Sequence, residues 1–185
     1  MLTNTDLPLI IEALLLAAGR CMTIQELSLI FDEEKRPTNQ EIGSAIAFLQ
    51  QQNEQRGVEL VKTANGYQFQ SKQKFSYLVA RLWQERPPKY SRAFLETLAL
   101  IAYRQPITRG EIEQIRGVTI SSSIFKTLQE ERGWIRIIGH KDVPGKPALY
   151  ATTKEFLTYF GLEKLEELPP LPKIMDFLTT EHQTA

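Results

Sequence analysis

Few residues in this 185-residue chain are placed to do covalent or metal chemistry. His140 and His182 are its two histidines, and neither has a Cys, His or carboxylate at metal-ligand spacing, so a zinc centre is not expected. Cys21 is the single cysteine. It falls at a turn before a capped helix, where a small buried side chain is ordinary and a nucleophile is not. One cysteine leaves no intrachain disulfide, which fits a reducing compartment. The stretch Gly139-His-Lys-Asp-Val-Pro-Gly145-Lys146 has the outline of a phosphate-binding loop. However, five residues separate its glycines instead of four, and Pro147 replaces the hydroxyl that would hold Mg²⁺. A strand, not a helix, is expected next, so no aligned amides would face a phosphate. The loop therefore reads as a hairpin turn. No cofactor, no metal and no catalysis are expected.

Charge narrows the partners. Lys+Arg and Asp+Glu balance at 22 each, so the chain as a whole exerts no pull on DNA or an anionic membrane. By segment, residues 1–84 hold 8 basic and 9 acidic side chains, 85–160 hold 12 and 8, and 161–185 hold 2 and 5. The asymmetry is mild beside the basic face of a dedicated nucleic-acid binder. Leu7 to Ala18 is apolar enough to imitate a signal-peptide core. No Lys or Arg precedes it, Asp6 opens it and Glu12 interrupts it, so a buried helix is expected instead. No stretch approaches membrane-spanning length.

The elements that position these residues come in two copies. Glu12-Ala-Leu-Leu-Leu-Ala-Ala-Gly-Arg20 matches Glu96-Thr-Leu-Ala-Leu-Ile-Ala-Tyr-Arg104 at an offset of 84 residues. One residue later in register, Thr23-Ile-Gln-Glu26 meets Thr108-Arg-Gly-Glu111. Both are capping boxes: the Thr oxygen accepts the third helical amide, and the Glu reaches back to the cap's own amide. In the first copy Thr38-Asn-Gln-Glu41 opens a third helix, extending to Gln55, with Ile42, Ala45, Ile46 and Leu49 on one face. Val58–Thr63 and Tyr67–Ser71 then alternate around Asn65–Gly66 as a hairpin. In the second copy Thr119–Arg132 is expected to be helical, Trp134–Ile138 a strand and Ala148–Ala151 its return. Each copy closes with a helix, Phe75–Trp83 and Lys154–Tyr159.

Helix, helix, helix, hairpin is the order of a winged helix. The fold class expected is mainly α with small β-hairpins, an α+β chain of two tandem winged-helix domains. Residues 1–84 form the first domain, 85–90 a Pro-containing linker, 91–161 the second, and 162–185 an acidic, Pro-containing tail.

Winged helices commonly read DNA, so a transcription regulator is the alternative function. The third helices speak against it. Thr38–Gln55 carries Glu41 and Glu54 with no Lys or Arg, and in the second copy Lys126 and Arg132 are offset by Glu130 and Glu131. Arg136, Lys141 and Lys146 on the second hairpin leave room for a weak, non-specific nucleic-acid contact. Protein binding has better support. A helix apolar nearly all round must be covered on several sides, and a small domain has little core to cover it with. A dimer interface is therefore expected along the first helix, at Leu7, Ile10, Ile11, Leu14 and Leu15, the alternative cover being the other domain of the same chain.

The strings Ser91-Arg-Ala-Phe-Leu-Glu-Thr-Leu-Ala-Leu-Ile-Ala-Tyr-Arg-Gln-Pro-Ile-Thr-Arg-Gly-Glu-Ile-Glu-Gln-Ile-Arg-Gly117, Gly139 to Tyr150, Thr152 to Phe156, Tyr159 to Leu162 and Leu168 to Leu171 resemble the segregation and condensation protein B family of bacteria. The first half resembles it more loosely, through Ile11 to Leu15 and Gly66–Tyr67. Two positions depart from the family's frequent choices: Trp134 where leucine is common, and Ser121-Ser-Ser123. The resemblance covers about residues 7–171. It implies a cytoplasmic, nucleoid-associated, non-catalytic homodimer that binds the kleisin subunit, segregation and condensation protein A. Through that kleisin it would serve a structural-maintenance-of-chromosomes ATPase in chromosome condensation and segregation during cell division. It places kleisin contact on Tyr103, Arg104 and Tyr150, with DNA met weakly or indirectly.

Overall fold

The structure, a computed structural model, describes residues 6–82 and 90–170. Residues 85–89 of the expected linker, Trp83 at the end of the expected closing helix, and the tail from Leu171 lie outside them. The first unit runs α1 (Leu7–Ala18), α2 (Ile24–Leu29), α3 (Asn39–Gln52), β1 (Val58–Thr63), β2 (Gly66–Ser71) and α4 (Ser76–Val79). The second runs α5 (Arg92–Arg104), β3 (Ile107–Thr108), α6 (Arg109–Arg116), α7 (Ser122–Lys126), β4 (Ile135–His140), β5 (Ala148–Thr152) and α8 (Lys154–Tyr159). This is the expected mainly helical pair of winged helices.

All three Thr-x-x-Glu boxes form. Glu26, Glu41 and Glu111 each accept the amide of their own cap threonine at 2.8 Å. Thr23, Thr38 and Thr108 accept the third amide at 3.1, 3.2 and 3.3 Å. The boxes start α2, α3 and α6 where the spacing puts them.

The first hairpin turns one residue earlier than expected. Thr63 pairs with Gly66, so Ala64 and Asn65 make the turn. Gly66 has φ +116°, and a Cβ there would lie 2.3 Å from the Met22 carbonyl oxygen. That approach is close because Met22 and Tyr67 exchange both backbone hydrogen bonds, at 2.9 and 2.8 Å. The wing is thereby tied to the turn between α1 and α2.

In the second unit a three-stranded sheet has the order β3-β5-β4, with Ile107 opposite Tyr150 and Ile135 opposite Thr152. Strand β3 was not anticipated; two residues are too few for a period-2 signal. The helix expected over Thr119–Arg132 starts later, on the Ser121 cap, and widens to a π turn over Thr127–Glu131. The helix expected at Phe75–Trp83 is also broken, into the one-turn α4 flanked by 3₁₀ turns at Gln73–Phe75 and Ala80–Leu82. None of its described residues is buried, and a short helix with no face to pack does not persist on propensity alone.

Each unit has its own core. Leu7, Ile11, Leu15, Leu27, Ile42, Ile46, Leu49 and Leu60 fill the first. Phe94, Leu98, Ile101, Ile112, Phe125, Leu128, Trp134 and Phe156 fill the second.

The caps set an acid limit. Glu26 is held at about 2, chiefly by the Thr23 amide and then by Arg20. Glu111 is held at about 2, chiefly by Lys141 and then by the Thr108 amide. Both lie below the unfolded value of 4.5, so their stabilisation is complete above that pH and is lost as pH falls toward about 2. The thermal midpoint should drop across that window, and Glu26→Gln with Glu111→Gln should flatten the drop. An equally steep drop in the double variant would count against the caps. Gly66→Ala should cost about 2 kcal/mol or more in urea unfolding. Gly19→Ala, at φ +60° with open space around it, should cost about 1 kcal/mol.

Candidate interaction site

Helix α1 shows two stripes. Leu7, Ile11 and Leu15, spaced by four, are 7%, 0% and 2% exposed and belong to the first core. Ile10 and Leu14 are half-buried. The opposite stripe is Leu9, Ala13, Leu16 and Ala17, with Leu9 63% and Leu16 58% exposed. Of the five residues expected at a dimer interface, Leu7, Ile11 and Leu15 are therefore taken up by their own unit. Leu9 and Leu16 were missed, although their spacing of seven residues already put them on one helical face. The small core reaches only one side of α1, which packs on α3 and β2. The other side is left apolar and open.

Helix α5 occupies the same place in the second unit but is better covered. It buries Phe94, Thr97, Leu98, Ile101 and Ala102 and exposes Leu95. Its polar side is braced by Glu96, which meets Arg92 at 2.7 Å and Arg116 at 3.0 Å. Those two guanidiniums, Arg92 first, hold the Glu96 carboxyl below its ordinary value.

Tyr103, Arg104 and Tyr150 do not share one role. The Tyr103 hydroxyl donates to the Pro169 carbonyl at 2.5 Å, and burial pushes its pKa up. Tyr150 sits on β5 opposite Ile107, its ring 4.8 Å from that of Phe125. Arg104 is exposed and lines a shallow groove of about 480 Å³ with Pro106, Ile107, Glu111, Gln114 and Ile115. Glu111 is already paired with Lys141 at 2.6 Å. The groove thus offers one cation beside an apolar floor, and Ile115 is 56% exposed. That chemistry suits a peptide carrying an apolar side chain and a carboxylate. Among the described residues no group of three or more His, Cys, Asp or Glu could hold a metal ion, and no helix is long and apolar enough to cross a membrane.

The nucleic-acid candidates all lie on the second wing. Arg136 is exposed on β4, Lys146 sits at a positive φ of 38° in the loop, and Lys141 is partly neutralised by Glu111. The outer face of α3 presents Gln40, Ser44, Ala47, Phe48 and Gln51, with no cation to meet a phosphate. Phe48 on that face is 48% exposed.

Comparison with known proteins shows the chain's family. A family profile described as "Segregation and condensation complex subunit ScpB" matches residues 9–171. A "Segregation and condensation protein B homolog" from Coxiella burnetii is 50% identical over 175 residues, covering 95% of this chain and 83% of that protein. The "Segregation and condensation protein B" of Syntrophotalea carbinolica is 40% identical over 183 residues, covering 98% of this chain and 89% of its own. The crystal structure of ScpB from Mycobacterium tuberculosis is 30% identical and covers 88% of this chain and 99% of its own, at a TM-score of 0.39.

The two stripes of α1 predict opposite outcomes for neighbouring residues. Leu15→Asp should unfold the first unit, at a cost of at least about 3 kcal/mol. Leu16→Asp should keep the native circular dichroism spectrum. A folded Leu15→Asp protein would contradict the core assignment.

Proposed function

The chain belongs to the segregation and condensation complex subunit ScpB family, and from that premise we propose that it is a non-catalytic subunit of a bacterial condensin-like complex. The observation that carries this reading is the family match across both winged-helix units. In it the chain works as a homodimer in the cytoplasm, associated with the nucleoid. It binds the kleisin, segregation and condensation protein A, and through it a structural-maintenance-of-chromosomes ATPase. It acts in chromosome condensation and segregation during cell division.

The two units divide the work. The first, residues 1–84, dimerises through α1. Leu9 and Leu16 supply the apolar area, and half-buried Ile10 and Leu14 flank it. Supporting this is the cost of leaving two leucines on one helical face in water, which a second copy of the same face removes. The second unit, residues 91–161, contacts kleisin. Arg104 is the charged contact and Ile115 the apolar one, while Tyr103 and Tyr150 shape the surface from beneath. DNA contact through Arg136, Lys141 and Lys146 is weak or indirect.

Co-purification with the kleisin of the same genome tests the assignment, and the expected result is one co-eluting species at micromolar concentration. Two separate species would sink it. Arg104→Glu combined with Ile115→Asp should weaken kleisin binding at least about tenfold by calorimetry. Leu16→Asp should sediment as a monomer where the wild-type chain sediments as a dimer.

A further inference from the structure

The segment after α8 is built to touch both units. Gly161 ends that helix at φ +68°, its amide bonded to Thr158 at 3.1 Å and the next amide, of Leu162, bonded to Leu157 at 2.8 Å. These are the bonds of a Schellman stop, which reverses the chain. The reversal carries the Leu162 carbonyl to the first wing, where it accepts the Ala64 amide at 3.0 Å. Ala64 is one of the two turn residues between β1 and β2. One residue on, the Glu163 carboxylate meets Lys62 of β1 at 2.5 Å.

The segment's hold on the two units is unequal. Toward the second unit it is apolar, with a 3₁₀ turn over Leu165–Glu167. Leu165 and Leu168 pack against that core, and the Pro169 carbonyl takes the Tyr103 hydroxyl. The Glu167 carboxylate accepts the Glu163 amide at 2.9 Å, bracing the turn between them. Toward the first unit it makes two polar contacts: the backbone bond between half-buried Ala64 and Leu162, and the ion pair, whose Lys62 and Glu163 side chains are 46% and 44% exposed. Beside them opens a cleft of about 520 Å³, lined by Arg20, Asn65 and Gln68 of the first unit and by Lys154 and Thr158 of the second.

We propose that Leu162 and Glu163 form a reversible latch that selects one relative orientation of the two winged-helix units. The strap they belong to stays seated on the second unit while the latch opens and closes against the first wing. One half-buried backbone bond and one exposed ion pair are individually weak, so closed and open forms interconvert readily. The ion pair is screened by salt, which favours the open form. The latch needs no partner chain, so its failure leaves the kleisin assignment untouched.

Distances between spin labels test it in the full-length chain. Labels are attached at Gln51→Cys on α3 and Asp142→Cys in the second wing, in a Cys21→Ser background. Labelled chain is diluted into unlabelled chain, so that distances within one chain are read. Wild type should show one dominant distance that weakens in molar salt. Lys62→Glu and Glu163→Lys should each reduce that population about fivefold. The swapped pair, Lys62→Glu with Glu163→Lys, should restore it. Identical distributions in wild type and both single variants would overturn the latch. So would single-variant changes that the swap fails to reverse, since those report damage to either unit and not a lost pair.

Discussion

A winged-helix unit this small cannot surround its lead helix, and much of the molecule follows from that limit. In the first unit the Leu7, Ile11 and Leu15 stripe is the part of α1 that the core can reach. α3 lies across that stripe, and its own buried residues recur at the matching helical spacing. The chain must then leave α1 sharply, which Gly19 allows in its left-handed conformation. Three residues later Met22 is bonded to Tyr67, so the wing is fixed to the same corner. Gly66 is required there because any side chain would collide with the Met22 carbonyl. Buried seam, corner and wing are thus one mechanical object. The uncovered side of α1 is its consequence.

The second unit meets the same limit differently. Its lead helix exposes fewer large apolar residues, and its polar side is braced by the Arg92, Glu96 and Arg116 cluster. It recruits extra cover from beyond the domain, with Leu165 and Leu168 brought back onto the core by the strap. Trp134 anchors a group of rings, with Tyr159 at 4.4 Å and Phe160 at 5.6 Å between centroids. The wider aromatic core leaves less apolar area at the surface of α5 than α1 leaves at its own. The two units therefore share a frame and differ in what they present outward, which is what a division between self-association and partner binding requires.

Electrostatics plays a local part. The capping carboxylates Glu26 and Glu111 each serve twice, closing a helix start and pairing with a cation, Arg20 or Lys141. The Lys141 pair takes a charge away from the second wing and gives it to the start of α6. A wing committed in this way to holding its own domain together has less to offer a phosphate backbone. The uncharged outer face of α3 points the same way.

The starts of α2, α3 and α6 were legible in the sequence, because a Thr-x-x-Glu box is satisfied within four residues and needs nothing distant. The tandem repeat and the buried stripe of α3 were legible there too, since a 3.6-residue period is local information. The sequence also carried the family, through strings concentrated in the second unit. Tertiary structure decided the rest. Which stripe of a helix apolar all round faces inward depends on what packs against it, so Leu15 and Leu16 were separable only once α3 was in place. The β1–β2 turn moved by one residue because the Met22–Tyr67 bonds, made across the fold, fixed the register. The broken helix after Phe75 shows the converse, a helical pattern left without a face to pack on. The pairing of Lys62 with Glu163 spans 101 positions of chain, a separation at which no local pattern can signal contact.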